Sequence, residues 1–212
     1  MSPDPPRLEQ VTIPGPAGSL EAAAEEASGA PRSSYAVLCH PHPLHGGTME
    51  NKVVTTLGKA LRSGGVATLR FNFRGVGCSK GIFDDGRGET DDARAVAAYG
   101  ALRWPGRRLM LAGFSFGAFV ALKLAQVEPA ELLITVAPPV DRFDFSGLAA
   151  PRAPWLVVQG DADDIVDPQR VLEWVRGFTP APHLVVVPVV GHFFHGHLAE
   201  LRDAVGNVLR SG

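Results

Sequence analysis

The chain has 212 residues, 45% of them hydrophobic, with two cysteines and a formal net charge of −2. That length suits one domain, here residues 1–212, with a core large enough to stand without disulfides or a structural metal. The near balance of charge leaves no field of one sign, which argues against nucleic acid or an anionic membrane surface as the main partner.

In chain order, Val11–Ile13 reads as an edge strand closed by the Pro14-Gly15-Pro16 turn signal. Leu20–Ala27 is rich in Ala and Glu and favours helix by propensity, but its place before a sheet favours a second hairpin strand. Ser28–Ser34 reads as a loop. Tyr35–Cys39, Val66–Phe71, Leu109–Ala112, Leu132–Val136, Trp155–Gln159 and Leu184–Val187 are strand candidates. Their near-continuous apolar character is that of parallel strands covered on both faces. Helix candidates alternate with them: Lys52–Arg62, Asp91–Leu102, Phe116–Gln126, Pro168–Arg176 and Leu198–Leu209. Asp167 before Pro168 is a helix start, an N-cap acid followed by proline at the first helical position. The succession predicts a doubly wound, mostly parallel α/β sheet with helices on both faces.

Cys39 and Cys78 share no CxxC spacing, so a reducing compartment is expected. The opening segment MSPDPPRLEQ lacks the basic and apolar regions of a secretory signal, and no apolar run approaches the ~20 residues of a membrane span. A cytoplasmic protein is expected.

Gly113-Phe114-Ser115-Phe116-Gly117 follows a buried-strand pattern and opens a helical one. A nucleophilic serine on such a strand-to-helix elbow needs glycines where side chains would strike the neighbouring backbone. The following helix aims its N-terminal amides at the site, where an oxyanion would need donors. A serine also needs a base, and the base an orienting acid. After the strand Trp155–Gln159 come Asp161, Asp163, Asp164 and Asp167; after Leu184–Val187 come His192, His195 and His197. Both groups emerge at carboxyl ends of strands, where parallel sheets build sites.

These motifs resemble the α/β-hydrolase superfamily over nearly the whole chain. Gly160–Val166 is similar to its G-x-x-D-x-x-V acid loop, which selects Asp163 over Asp161 and Asp164. Gly191-His192 is similar to its histidine loop and favours His192 over His195 and His197. Arg74-Gly75-Val76-Gly77-Cys78-Ser79 resembles its R-G-x-G-x-S turn. The segment Cys39–Met49, with C-H-P-H-P-x-x-G-G-x-M, resembles a group of small bacterial proteins similar to dienelactone hydrolase. Dienelactone hydrolase uses a cysteine nucleophile; Ser115 departs from that, so its substrate does not carry over.

The strands and helices use nearly every residue, so no inserted cap domain is expected. The resemblance implies an α/β-hydrolase fold and a serine hydrolase acting on a small carboxylic ester or related acyl bond, with no cofactor. Ser115 is then the nucleophile, His192 the base and Asp163 its orienter. Phe116 N–H supplies one oxyanion donor, and the loop after Tyr35–Cys39 the second. Pro41 and Pro43 have no N–H, which leaves His42, with Leu44 as the alternative. Phe114, Phe193 and Phe194 flank the centre as candidates for an apolar substrate pocket. Arg74 reads as a brace to the carboxylates of Glu89 or Asp92 rather than as a substrate ligand.

Two rival readings stand beside this one. His40, His42 and His45 have the spacing of a metallohydrolase H-x-H-x-D-H motif, although Leu44 replaces its aspartate, and zinc accepts histidine readily. The other is a catalytically idle hydrolase fold used as an interaction module. The elbow, the acid loop and the Ser–Asp–His order are unexplained by a metal site.

Overall fold

The structure is a computed structural model and describes residues 8–211. Residues 1–7 of the opening segment lie outside the described residues, so the reading of its leader character is not addressed by the fold. No helix among the described residues is long and apolar enough to cross a membrane.

Eight strands form one sheet: β1 (Glu9–Gly15), β2 (Gly18–Glu25), β3 (Ser34–Cys39), β4 (Ala67–Phe71), β5 (Arg108–Phe114), β6 (Leu132–Val136), β7 (Trp155–Gly160) and β8 (His183–Val187). Their spatial order is β1-β2-β4-β3-β5-β6-β7-β8. Only β2 runs against its neighbours, pairing antiparallel with β1 and with β4. From β4 to β8 the sheet is parallel. Among the described residues, four α-helices connect strands and a fifth follows β8: α1 (Lys52–Ser63), α2 (Arg87–Arg103), α3 (Phe116–Ala125), α4 (Pro168–Arg176) and α5 (Leu198–Ser211).

Alternation along each strand divides the core in two. Tyr35, Val37 and Cys39 of β3 join Val96 of α2, Val120 of α3 and Val171 of α4 on one face. Ala36 and Leu38 join Leu57 of α1 and Leu201 of α5 on the other. Helices therefore cover both faces, with no inserted cap among the described residues. This is the α/β-hydrolase fold.

Leu20 and the residues after it form strand rather than helix, in agreement with the hairpin reading. Ala22, Ala23 and Ala24 are buried between β1 and β4, and pairing on both edges outweighs alanine's helix preference. Helix α2 starts at Arg87, a turn earlier than the expected Asp91. Glu89 is the reason: its carboxylate accepts the amides of Asp84 (2.9 Å) and Gly86 (2.8 Å), reaching back over the helix start as a third-position cap. Strand β5 runs on to Phe114, two residues past the expected Ala112, because Phe114 still pairs with Val136. The Asp167 side chain caps α4 by accepting the Gln169 amide at 2.9 Å.

Arg74 is a brace, as expected. Its Nε and Nη2 donate to the two oxygens of Asp92 at 2.9 and 2.8 Å, and its backbone N–H adds a third bond at 3.0 Å. The Asp92 side chain is 0% exposed, so this pair ties the long segment between β4 and α2 to the helix from inside. Removing one partner of a buried pair strands the other charge without solvent. Arg74→Ala is expected to cost about 3–5 kcal/mol in urea unfolding, far above the median for an exposed pair.

Candidate active site

The site forms where β3, β5, β7 and β8 end. Ser115 follows the last residue of β5 with φ 53° and ψ −121°, a left-handed conformation that side chains rarely adopt. The turn is held by the Ser115 amide, which donates to the Val136 carbonyl at 2.8 Å, and by the Ala118 amide, which donates to the Ser115 carbonyl at 2.8 Å. The two flanking glycines answer a steric demand. A Cβ on Gly113 would strike the Gly117 carbonyl, and one on Gly117 would strike the carbonyls of Cys39 and His40.

His192 Nε2 stands 3.1 Å from Ser115 Oγ, and its Nδ1 donates to Asp163 Oδ2 at 2.8 Å. A carboxylate only accepts, so Nδ1 carries the hydrogen and Nε2 is left to accept from the serine hydroxyl. Asp163 Oδ1 accepts the amides of Ile165 (2.9 Å) and Val166 (2.8 Å), and Oδ2 also accepts from Gln159 Nε2 at 3.1 Å. Burial pushes the Asp163 carboxyl up, but the bonds from His192, Val166 and Ile165 together hold it below the usual carboxylate range. The acid therefore stays ionised beneath the imidazole.

The structure separates the candidates that the sequence left open. Asp161 turns to the Val189 amide (2.6 Å) and Asp167 to the α4 cap, so neither orients His192. His197 pairs with the exposed Glu200 at 3.0 Å, and the His195 ring stacks on Phe193. Only His192 joins Ser115 and Asp163.

Phe114 and Phe194 require correction as pocket candidates. Both are 0% exposed and lie in the core between the sheet and helices α1 and α5, with Phe114 packed beneath His192 at 5.0 Å between ring centroids. Phe114 falls on that face with Met110 and Ala112, every second residue of β5. Phe193 is the exposed member, at 43%. Two rings that sequence reasoning missed lie across the site. Phe83 and Phe143, both half-buried, pack 4.8 and 5.8 Å from the His42 ring beside Phe116. No local pattern marks them, because each sits in an irregular segment far along the chain.

The histidine-rich loop divides by role. His40 is fully buried; its Nδ1 donates to the Pro41 carbonyl (2.6 Å) and its Nε2 accepts the Phe73 amide (3.0 Å). With both ring nitrogens engaged by protein, it has no lone pair for a metal, which removes a ligand from the proposed three-histidine cluster. Instead it clips the end of β3 to the end of β4. Leu44 donates its amide to His42 Nδ1 at 3.2 Å, starting a short 3-10 turn over Pro43–His45. That amide is thus occupied, whereas no acceptor among the described residues takes the His42 amide.

A family model described as serine aminopeptidase, S33, matches residues 42–144. An α/β serine hydrolase without lid from Xanthomonas campestris is 45% identical, with a TM-score of 0.93 over 98% of this chain and 95% of that one. An α/β serine hydrolase homologue from Coxiella burnetii is 46% identical, with a TM-score of 0.92 over 95% and 97% of the two chains. An uncharacterized protein of Rickettsia prowazekii is 34% identical over 95% of this chain and 89% of its own length. The chain belongs to the α/β serine hydrolases. In this hydrolase the elbow, the acid loop and the histidine loop stand in the chain order of that fold.

Burial pushes the His40 imidazole down to about 4, against the raising effect of its bond to Pro41. A base with a lower folded than unfolded value binds more protons when unfolded, so stability is lost as pH falls from roughly 6.5 toward 4. Between pH 7 and 4.5 the hydrolase is expected to lose on the order of 2 kcal/mol more than its His40→Gln variant. Parallel urea titrations at the two pH values measure this difference.

Proposed function

We propose that the hydrolase cleaves a small carboxylic ester through an acyl-enzyme formed on Ser115. The observation that carries this reading is the continuous relay from Ser115 Oγ through His192 to Asp163, with steps of 3.1 and 2.8 Å, set on a strained turn. His192 Nε2 takes the Ser115 proton as Oγ adds to the ester carbonyl. The Asp163 carboxylate holds the tautomer and balances the imidazolium. His192 then returns the proton to the leaving alcohol, and water repeats the cycle to release the acid.

The oxyanion needs two donors. One is Phe116 N–H, at the first position of α3, where no carbonyl of the same helix can take it and the helix dipole favours negative charge. The second is His42 N–H, favoured because Leu44 N–H is already bonded. Phe193 on one side, and His42, Phe83 and Phe143 on the other, supply apolar contact to substrate. The loop Cys39–Met49 supports a place among the dienelactone-hydrolase-like proteins, with serine where dienelactone hydrolase itself has cysteine.

Fluorophosphonate labelling and hydrolysis of short p-nitrophenyl esters test the relay. Labelling is expected on Ser115, indifferent to a strong chelator, and Ser115→Ala is expected to lower turnover by about 10⁴-fold or more. Chelator-sensitive turnover surviving Ser115→Ala would instead support the metal reading, and turnover of aminoacyl anilides without esters would overturn the choice of bond.

The His42 backbone has φ −52°, a value proline accepts. His42→Pro removes the amide and the ring; His42→Ala removes the ring alone. The first is expected to lower kcat by about 10²–10³-fold and the second to stay within about tenfold of wild type. Equal losses in the two variants would assign the effect to the ring.

A further inference from the structure

Gln159 is a lone polar side chain at the end of the apolar strand β7, and it is 0% exposed. Its Nε2 donates to two acceptors, the Gly160 carbonyl at 3.0 Å and Asp163 Oδ2 at 3.1 Å. Its Oε1 is buried with no hydrogen-bond partner among the described residues. The reversed amide would press Oε1 against those same two oxygens, so the observed orientation is the one chemistry permits. An acceptor buried without a partner carries a free-energy cost that an aliphatic side chain of similar size would avoid. Such a group at this place calls for a benefit elsewhere.

We infer that Gln159 is a positioning residue for the reaction, acting through Asp163. The inference rests on the proposed Ser115–His192–Asp163 relay. Oδ2 is the oxygen that receives the His192 Nδ1 hydrogen, and the Gln159 amide donates to that same atom. With Ile165 and Val166 on Oδ1, it completes four donors around the carboxylate. The two backbone amides hold one oxygen; Gln159, beside His192, holds the other against rotation. It also draws charge from Oδ2 and so moderates the pull of Asp163 on the His192 proton.

The test uses the full chain as wild type, Ser115→Ala and Gln159→Met, the last keeping length and volume while removing both donors. Three quantities are measured: the rate of fluorophosphonate labelling, the thermal midpoint, and the low-field proton resonance of His192 Nδ1. Gln159→Met is expected to label about tenfold more slowly, as follows from a carboxylate free to shift by a fraction of an ångström. Its midpoint is expected to equal or exceed that of wild type, and the Nδ1 resonance to move. Wild-type labelling, an unmoved resonance, or a labelling loss that only follows a lowered midpoint overturns the assignment. If Gln159→Met does not fold, Gln159→Leu serves in its place, again without a donor to Oδ2, with slower labelling and a moved resonance again expected, and the wild-type values again overturning it. A wild type that does not label at all removes the relay reading itself, and the resonance then decides alone whether Gln159 acts on Asp163.

Discussion

The site depends on one close approach of backbone to backbone, the start of α3 against the ends of β3 and β5. Gly117 lies on the carbonyls of Cys39 and His40, and Gly113 lies under Gly117. No side chain fits between these segments. The chain must therefore leave β5 through a turn that forces Ser115 to φ 53°, and the two bonds to Val136 and from Ala118 keep it there. The strain is local and is supported by a core that is buried on both sides of the sheet. From that turn follow the placing of the hydroxyl against His192 at the sheet's carboxyl edge and the direction of the first amides of α3.

Around the elbow, the buried ionisable groups are each held by defined partners, while Gln159 Oε1 is left without one. Asp163 gathers four donors and stays ionised. His40 has the opposite fate within the same layer, held neutral by burial with both nitrogens engaged. Arg74 and Asp92 neutralise each other under the segment that follows β4. These pairings join the loops that leave β3, β4, β7 and β8 to one another and to α2. With its members already bonded to one another, the proposed relay from Asp163 to Ser115 would need little reorganisation.

The surroundings of the site are less polar than its centre. Leu44, Ile82, Val189 and Phe193 are 69, 81, 80 and 43% exposed on the loops that leave β3, β4 and β8. Rings of His42, Phe83, Phe116 and Phe143 pack on one another beside the elbow. With no inserted cap among the described residues, this apolar border meets solvent directly.

Much of this was legible from the sequence because it rests on local rules. Apolar runs of strand length, the proline after Asp167, the glycines around Ser115 and the Ser–Asp–His order each reflect backbone sterics or alternation within a few residues. The sequence marked Gln159 only as the end of its strand; its burial against Asp163 came from the fold. What the sequence left open depended on which distant segments meet. Asp163 stands apart from Asp161 because its oxygens receive Gln159, His192 and the turn amides, while Asp161 meets Val189. His40 and His42 look alike in the motif, yet one is sealed against Phe73 and the other stands among aromatic rings. Phe114 and Phe193 flank the same motifs, but sheet parity buries the first, while the second stands in the turn after β8 and meets solvent. Local covalent geometry determined the turn and the order of the chemical groups; the packing of eight strands and five helices decided which copy of each residue type reaches the site.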